Sequence, residues 1–288
     1  MNLSQAYGDD RFGLSFELFP PKTDAGLTAL EKHVSVLCEY SPSFITCTYG
    51  AGGSTRDKTL EILKQVKCSF NVPVASHLTC VGSTVESLRE YLATADELKI
   101  ENIVALRGDP PKGESEFKPV EGGLSYANEL VQLIKSEFPQ FGIAVAGYPE
   151  KHQEAPDMAT DLQNLKRKVD AGADAVITQL FYDNADFFRF RDSCEQLGID
   201  VPIVPGILPV TNLGQITRIT SLCGSKLPQR FIDRMSEQDT EEWQFSAGVE
   251  FATQQTQELV EQGIPGIHFY VLNKSQATQQ VLNAVTLP

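Results

Sequence analysis

The stretch IVALRGDPP, residues 103–111, joins a buried strand to an abrupt stop. Residues 103–107 are typical of the end of a strand, and the two prolines cannot continue a ladder because each lacks a backbone N–H. Asp109 therefore follows the C-terminal end of a strand, two residues after Arg107. In sheets built from strand–helix units, ligands bind at that edge. Asp109 is thus a candidate for chemistry, although a local turn in which it pairs with Arg107 is an equally good interpretation.

Outward from this strand, apolar runs that are typical of strands occur eight times and alternate with helical patterns. The strands are predicted at 14–19, 44–49, 72–78, 102–107, 142–148, 175–181, 201–207 and 266–272. The helices are predicted at about 25–40, 55–68, 84–99, 124–138, 158–171, 185–197, 211–223, 228–263 and 275–286. Strict alternation implies parallel pairing, and eight units imply a single α/β domain over 1–288, a (β/α)8 TIM barrel. An extra helix is predicted near 227–235, between strands seven and eight. A doubly wound open sheet is the alternative, but no G-x-G-x-x-G follows the first strand.

The composition excludes several classes of protein. The net charge of −14 argues against binding to nucleic acid or to an anionic membrane surface. No apolar run reaches the roughly 18 residues that would span a bilayer, and the polar N-terminus is not typical of a signal peptide. The six cysteines and four histidines show no metal-binding spacing. We therefore expect a cytoplasmic protein with reduced thiols and no metal site.

Strand alternation predicts that polar groups converge inside the barrel, near the C-terminal ends of the strands. The predicted inward positions are Ser15, Glu17 and Phe19; Thr46 and Thr48; Ala75 and His77; Ala105 and Arg107; Ala146 and Tyr148; Ile177 and Gln179. A packed barrel interior prefers Val, Ile and Leu, and a buried charge is costly unless it is paired or functional. The convergence favours an active site. Its predicted members are Glu17, Thr48, His77, Arg107, Asp109 and Gln179. Each also has a structural interpretation: Glu17 could pair with Arg107, and His77 could be a hydrogen-bonded core histidine.

One face of the predicted helix at 158–171 carries a second polar set. Spacings of three and four residues place Asp161, Asn164, Arg167 and Lys168 close together. Just upstream, the loop 148–152 follows the fifth strand and contains a tyrosine and a histidine. Such a face is usually only solvated, and spacing alone indicates no more. Beside this loop, however, it could hold a phosphate-bearing cofactor, because arginine and lysine bind phosphate.

Several motifs of the chain resemble one known family. They are SFELFPPK (15–22), TYGAGG (48–53), HLTC (77–80), ALRGDPP (105–111), YPEKH (148–152), NLKRKVDAGADAVITQLFYD (164–183), PGILPV (205–210) and HFYVLN (268–273). In order and through essentially the whole chain, they resemble 5,10-methylenetetrahydrofolate reductase. The resemblance implies a (β/α)8 barrel with non-covalent FAD, which fits the strand count. It also implies a homo-oligomeric enzyme that reduces 5,10-methylenetetrahydrofolate with NAD(P)H for methionine synthesis. Since the sequence ends at 288, it is similar to the short bacterial type.

The resemblance implies roles for individual residues. Glu17 is implied to be the general acid, and Asp109 the carboxylate near the flavin and the bound pterin. The positions implied to contact FAD are Thr48, Tyr49, His77, Arg107, Gly108, Asp109, Tyr126, Ala127, Tyr148, His152, Asp161, Asn164, Arg167 and Lys168. The positions implied to contact substrates are Glu17, Thr48, Asp109, Gln179, Gln215 and Lys274. Two positions depart from the family pattern: Ile219 replaces the phenylalanine of some bacterial relatives, and Lys274 replaces a common arginine.

The chemistry that the resemblance implies explains the two carboxylates. Hydride passes from NAD(P)H to FAD and then to the one-carbon bridge of the folate, which must first be opened by protonation. Glu17 is expected to hold its proton near neutral pH, because burial raises the pKa of a carboxyl group. Asp109 is expected to stay ionised and to stabilise the cationic iminium. The alternatives are another barrel flavoenzyme, similar to proline dehydrogenase, and a flavin-free folate-binding barrel that transfers one-carbon units.

Overall fold

The computed structural model describes residues 3–8, 11–48, 56–110, 113–114 and 116–288, and in these residues strands alternate with helices. The strands are β1 Gly13–Leu18, β2 Phe44–Cys47, β3 Val74–Thr79, β4 Asn102–Leu106, β5 Gly142–Gly147, β6 Ala175–Thr178, β7 Ile203–Val204, β8 Gly206–Ile207 and β9 Gly266–Tyr270. The helices are α1 Leu3–Ala6, α2 Asp24–Cys38, α3 Arg56–Phe70, α4 Val85–Glu97, α5 Ala127–Glu137, α6 Met158–Asp170, α7 Asn184–Gln196, α8 Leu213–Cys223, α9 Gln229–Met235, α10 Glu241–Glu261 and α11 Gln276–Ala284. None of the helices in this described part of the chain has the length and apolarity needed to cross a lipid bilayer.

The strands form one parallel sheet that curves into a barrel. Their order is β7-β6-β5-β4-β3-β2-β1-β9-β8. The two ends of this order are consecutive in the chain, because β7 pairs with β6, β8 pairs with β9, and Pro205 separates β7 from β8. Proline lacks the N–H that an unbroken ladder requires, so the seventh barrel strand is divided into two short pieces. The predicted (β/α)8 barrel is confirmed. The described residues form nine strands where eight were predicted, because the seventh is divided.

The first strand separates two layers of apolar packing. Leu14, Phe16 and Leu18 pack outside the barrel with the helices. Because side chains alternate along a strand, Ser15 and Glu17 face the interior, as predicted. The inner layer contains Phe44, Ala75, Val104, Ala144, Ala175, Ile177 and Val204. These positions agree with the inward faces predicted for the second, third, fifth and sixth strands.

The fourth strand has the opposite orientation to the predicted one. Ile103 and Ala105 lie in the outer layer, whereas Val104 lies in the inner layer. The prediction that Ala105 and Arg107 face inward is therefore wrong. Residues 103–106 are all apolar, so they carry no alternation that distinguishes the two faces of a strand buried on both sides.

The N-terminal end of the barrel is filled by a short helix that the sequence did not predict. Leu3, Ala6 and Tyr7 pack against the inner layer, and α1 lies nearest to β5. The ring of Tyr7 contacts that of Phe44 edge to face, with centroids 5.6 Å apart. A four-residue helix is too short to show helical periodicity in the sequence, which is why it escaped prediction.

The long segment between β8 and β9 forms three helices, α8, α9 and α10. The extra helix predicted near 227–235 is confirmed as α9. The single helical region predicted at 228–263 is wrong in one respect, because α9 and α10 are separate. Thr240 is the N-cap of α10: its backbone is extended, and its side chain accepts a hydrogen bond from the backbone N–H of Trp243. A new helix therefore begins there. Phe231 and Met235 of α9 pack in a third apolar cluster with Leu180 and Leu208.

Candidate active site

Glu17 lies inside the barrel and is 6% exposed. Its Oε2 atom is 3.2 Å from Nε2 of His77 on β3 and 3.8 Å from Nε2 of His268 on β9. Glu17 and His268 lie on paired strands, because β1 pairs with β9, whereas His77 lies on β3, which is separated from β1 by β2. The convergence of Glu17 with His77 is confirmed, but the structural alternative in which Glu17 pairs with Arg107 is wrong.

The two histidines determine the charge of Glu17. Burial raises the pKa of Glu17, but the opposing effects of His77 and His268 are together larger and lower it to about 2. The expectation that burial keeps Glu17 protonated near neutral pH is therefore wrong. Burial also lowers the pKa of His268, against the attraction of Glu17. Neutral imidazole is thus the favoured form of His268 at neutral pH.

A chain of hydrogen bonds runs from His268, beside this carboxylate, to Tyr7 at the opposite end of the barrel. Nδ1 of His268 is 2.7 Å from Oγ of Ser15, and that oxygen is 2.7 Å from the hydroxyl of Tyr7. Sequence reasoning placed Ser15 inside the barrel but assigned no role to Ser15, His268 or Tyr7. The same alternation applied to the last strand would have placed His268 inside, beside Ser15, with which it pairs in register.

Arg107 pairs with Glu154, and not with Asp109 or Glu17, the two carboxylates that the sequence suggested. Its Nη1 and Nη2 atoms each lie 2.6 Å from a carboxylate oxygen of Glu154, in a bidentate pair. The guanidinium carbon also lies 5.0 Å from the ring centroid of Phe117. The interpretation in which Asp109 pairs with Arg107 is therefore wrong. The side chain of Asp109 is exposed, and it forms no hydrogen bond with the residues that the structure describes.

Gly108, between these two residues, is required by the backbone itself. Its φ angle is +89°, in the region that favours glycine. A Cβ atom added there would lie 2.6 Å from Cγ1 of Val81. The sharp turn after β4 therefore depends on glycine before any ligand is considered.

The predicted polar face of α6 borders the loop after β5. Asp161 accepts a hydrogen bond of 2.9 Å from the backbone N–H of His152 and so fixes the loop. Lys168 donates to the carbonyl of Ala146 at 2.5 Å, and its Nζ atom lies 5.9 Å from the ring centroid of Tyr148. Burial lowers the pKa of Lys168 to about 8, although Asp161 acts in the opposite direction. Half of the predicted face therefore has a structural role.

The exposed half of the same face carries the groups that could hold a phosphate. Arg167 is exposed and donates to Oδ1 of Asn164 at 2.9 Å, so its remaining N–H groups are directed to solvent or ligand. Tyr126, at the start of α5, is 60% exposed, which is unusual for a large aromatic side chain. An exposed arginine on this helix and an exposed aromatic ring fit a cofactor that combines phosphates with flat rings.

The remaining predicted residues lie at the ends of neighbouring strands. Thr48 follows β2 and donates its backbone N–H to Leu18 at 2.9 Å. Ala127 begins α5, whose start is tied to the end of β3 by the thiol of Cys80, 3.6 Å from the carbonyl of Tyr126. The Oε1 atom of Gln179 accepts from the backbone N–H of Leu180 at 2.8 Å, and among the described residues its amide N–H₂ has no hydrogen-bond partner. Tyr49 lies outside the described residues.

Gln215 and Lys274 lie outside the barrel strands. Gln215 is exposed on the first turn of α8, and Ile219 is partly buried one turn later against the third apolar cluster. Lys274 follows β9, where Asn273 exchanges two hydrogen bonds with the backbone of Phe19, at 2.8 and 2.7 Å. Both residues therefore lie on loops or helices that follow the strand ends. Within the described residues, no group of three or more His, Cys, Asp or Glu side chains is arranged to hold a metal ion.

Comparison with known proteins shows the family to which the chain belongs. The family profile described as "Methylenetetrahydrofolate reductase" matches residues 2–286. The 5,10-methylenetetrahydrofolate reductase of Escherichia coli (strain K12) is 38% identical over 286 residues, which cover 99% of this chain and 94% of that protein. The methylenetetrahydrofolate reductase (NADH) 1 of Zea mays is 41% identical over 289 residues, covering 96% of this chain and 49% of that protein. The chain thus spans about half the length of the plant relatives.

A solved structure supports the fold independently. An uncharacterized protein from Clostridium thermocellum, described as binding two copies of 5-methyl-5,6,7,8-tetrahydrofolic acid, superposes with a TM-score of 0.65. The alignment covers 98% of this chain and 97% of that chain at 14% sequence identity, so the likeness concerns the barrel alone. The profile match and the identity to the bacterial enzyme over nearly the whole chain establish the relationship: the chain belongs to the methylenetetrahydrofolate reductase family.

Proposed function

We propose that the protein reduces 5,10-methylenetetrahydrofolate to 5-methyltetrahydrofolate with NAD(P)H in a ping-pong reaction through bound FAD. Membership of the family supports the overall reaction. The observation that carries the proposal is the buried Glu17 carboxylate, 3.2 Å from His77, inside the barrel. A buried acid–base pair among the strand ends of such a barrel is placed where substrates bind.

The proton that opens the folate bridge comes from the pair formed by Glu17 and His77. Opening requires protonation of the nitrogen that leaves, and the low pKa of Glu17 means that an isolated carboxylic acid does not supply it. The two side chains lie within hydrogen-bonding distance, so a proton held between Nε2 of His77 and the carboxylate of Glu17 would pass through Glu17 to the nitrogen that leaves, and the pair would lose one positive charge. Asp109, which is exposed and makes no hydrogen bond within the described residues, provides negative charge for the cationic iminium.

The polar face of α6 and the loop after β5 would hold FAD, which when bound accepts hydride from NAD(P)H and supplies it to the folate. Arg167 and Lys168 would meet its phosphates, while Asp161 keeps the loop in place. The further positions assigned to FAD are Thr48, Tyr49, His77, Arg107, Gly108, Asp109, Tyr126, Ala127, Tyr148, His152 and Asn164. The positions assigned to substrates are Glu17, Thr48, Asp109, Gln179, Gln215 and Lys274. Together they make 1–288 one FAD-binding catalytic domain.

The name of the maize relative specifies NADH, which supports NADH as the preferred donor here. The family resemblance further supports a cytoplasmic homo-oligomer that serves methionine synthesis. A steady-state comparison of NADH with NADPH on one preparation tests the donor. Equal rates with the two nucleotides would contradict the preference.

The flavin and the reaction are tested together on the purified protein. We expect a yellow protein that releases FAD on denaturation. Under anaerobic conditions NADH should bleach the flavin absorbance, and methylenetetrahydrofolate should restore it. A colourless protein that cannot be reconstituted with FAD but still binds folate would instead support the flavin-free one-carbon barrel.

A further inference from the structure

We infer that Tyr7 is a positioning residue that fixes the tautomer of His268, so that the imidazole directs Nε2–H toward Glu17. The inference rests on the proposed function only for its effect on turnover. Its structural content, the position of one proton on His268, does not depend on which reaction the barrel performs.

The barrel provides a dedicated space for the ring of Tyr7. Gly13 of β1 and Gly266 of β9 are partners in the parallel register. A Cβ atom added to Gly13 would lie 2.2 Å from Cδ1 of Tyr7, and one added to Gly266 would lie 2.7 Å from the same atom. The ring of Tyr7 therefore occupies the volume that two inward side chains would otherwise fill. It is 3% exposed, so its position is set by packing.

The number of available protons decides which group donates in each hydrogen bond between Tyr7, Ser15 and His268. Burial raises the pKa of Tyr7, so its phenol keeps its proton. Among the described residues, Ser15 is the one hydrogen-bond partner of that hydroxyl, and the O–O distance is 2.7 Å. If Tyr7 accepted from Ser15, the phenolic proton would be buried without an acceptor among the described residues, which is unfavourable. Tyr7 therefore donates to Ser15.

The proton of Ser15 then points to His268. Its alternative acceptor, the carbonyl of Ile267, lies 3.5 Å away, whereas Nδ1 of His268 lies 2.7 Å away. A neutral imidazole that accepts at Nδ1 carries its proton on Nε2. That nitrogen is 3.8 Å from Oε2 of Glu17, so the proton faces the carboxylate.

Removing the hydroxyl of Tyr7 frees this arrangement. Ser15 can then turn to the carbonyl of Ile267, and His268 can donate from Nδ1 to Ser15 instead. Nε2 would then present a lone pair to the carboxylate of Glu17. Two electron-rich atoms in a buried site repel each other, so Glu17 would lose one of the groups that stabilise its ionised form.

The test is the proton position of His268 in Tyr7→Phe, which keeps the aromatic ring and removes the hydroxyl. The full chain, as purified and labelled with ¹⁵N-histidine, gives long-range ¹H–¹⁵N spectra that show which nitrogen carries the proton. With four histidines in the chain, comparison with His268→Gln assigns the signal. We expect the Nε2–H tautomer in the unaltered protein and a shift toward the Nδ1–H tautomer in Tyr7→Phe.

Two further variants keep the test decisive. Ser15→Ala removes the link between Tyr7 and His268 and should also change the state of His268, even if Tyr7→Phe folds poorly. Tyr40→Phe is the control, because it removes a hydroxyl that donates to Oδ1 of Asn283 at 2.7 Å and takes no part in the hydrogen bonds between Tyr7, Ser15 and His268. It should leave the tautomer of His268 unchanged. An unaltered Nε2–H signal in a folded Tyr7→Phe or Ser15→Ala variant would overturn the inference.

Kinetics separate this inference from the proposed function. Tyr7→Phe should slow reduction of methylenetetrahydrofolate about tenfold, which is less than the roughly 10²–10⁴-fold loss expected when a general acid itself is removed. It should leave flavin reduction by NADH unchanged, because that step needs no acid. A changed tautomer in a protein that reduces no folate would contradict the proposed function alone. A normal folate rate together with a normal tautomer would contradict the role of Tyr7 alone.

Discussion

Replacing Glu17 by glutamine should lower the free energy of unfolding by an amount that follows from the pKa of Glu17. The pKa of Glu17 falls from its ordinary 4.5 to about 2. At about 1.4 kcal/mol for each tenfold change in proton affinity, the ionised carboxylate contributes about 3 kcal/mol to the free energy of unfolding. Since the pKa is lowered on folding, this contribution is present above pH 4.5 and is lost as the pH falls toward 2. Glu17→Gln should therefore be about 3 kcal/mol less stable at neutral pH.

Urea unfolding across the pH range measures this difference. The gap between Glu17→Gln and the unaltered protein should narrow as the pH is lowered below 4.5, because the unaltered protein then loses the same contribution. Glu31→Gln, an exposed position on α2, is the matched control and should change the free energy by less than about 0.5 kcal/mol. A Glu17→Gln variant as stable as its control at neutral pH would refute the ion pair with His77.

The same variant tests the chemical role of Glu17 by stopped-flow measurement of each half-reaction. Flavin reduction by NADH should persist, because that step has no leaving group to protonate. Reduction of methylenetetrahydrofolate should fall by roughly 10²–10⁴-fold, as expected when a general acid is lost. A folate rate equal to that of the Glu31→Gln control would exclude Glu17 as the acid.

Three further predictions concern other parts of the site. The Kd for FAD, measured by flavin fluorescence, should rise as the pH increases through about 8, because Lys168 then loses its proton; Lys168→Met should bind more weakly and lose this pH dependence. Asp109→Asn should keep its unfolding free energy and its FAD, since the side chain is exposed, but should slow folate reduction more than flavin reduction; equal losses would contradict this. Gly206→Ala should lower the melting temperature, because its Cβ would lie 2.3 Å from the carbonyl oxygen of Thr178. Gly214→Ala, where the nearest atom is 3.4 Å away, is the control and should melt at or above the original temperature.

The alternation of strands and helices was sufficient to predict the barrel, but not every face of it. In β1, polar Ser15 and Glu17 alternate with apolar neighbours, so the sequence marks the inner side. In β4 all of residues 103–106 are apolar, and the predicted inner side, with Ala105 and Arg107, was wrong. A strand buried on both faces carries no periodic signal, so its orientation is decided by its neighbours in the sheet.

The site shows the same limit at the level of pairs. Strand alternation and family resemblance brought Glu17 and His77 together, and the structure confirms that contact. The partners His268 and Glu154 were missed, although His268 lies in a motif that was noticed and Glu154 lies two residues after another. Which carboxylate meets which base depends on the stagger of strands and on loop geometry. These are three-dimensional quantities that the sequence does not show. The sequence left open a pairing of Arg107 with Asp109 or Glu17, whereas in the structure Arg107 pairs with Glu154.

The divided seventh strand has a consequence for how the barrel opens. On each side of Pro205 the ladder holds only two residue pairs, compared with five between β1 and β9. Short ladders open at a lower free energy than long ones, so amide hydrogen exchange should be fastest along this seam. The β8 side of the seam pairs Gly206 with His268. Each local opening there would therefore bring water to the imidazole beside Glu17. The free energy of opening these two short ladders would thus determine how often water reaches that carboxylate.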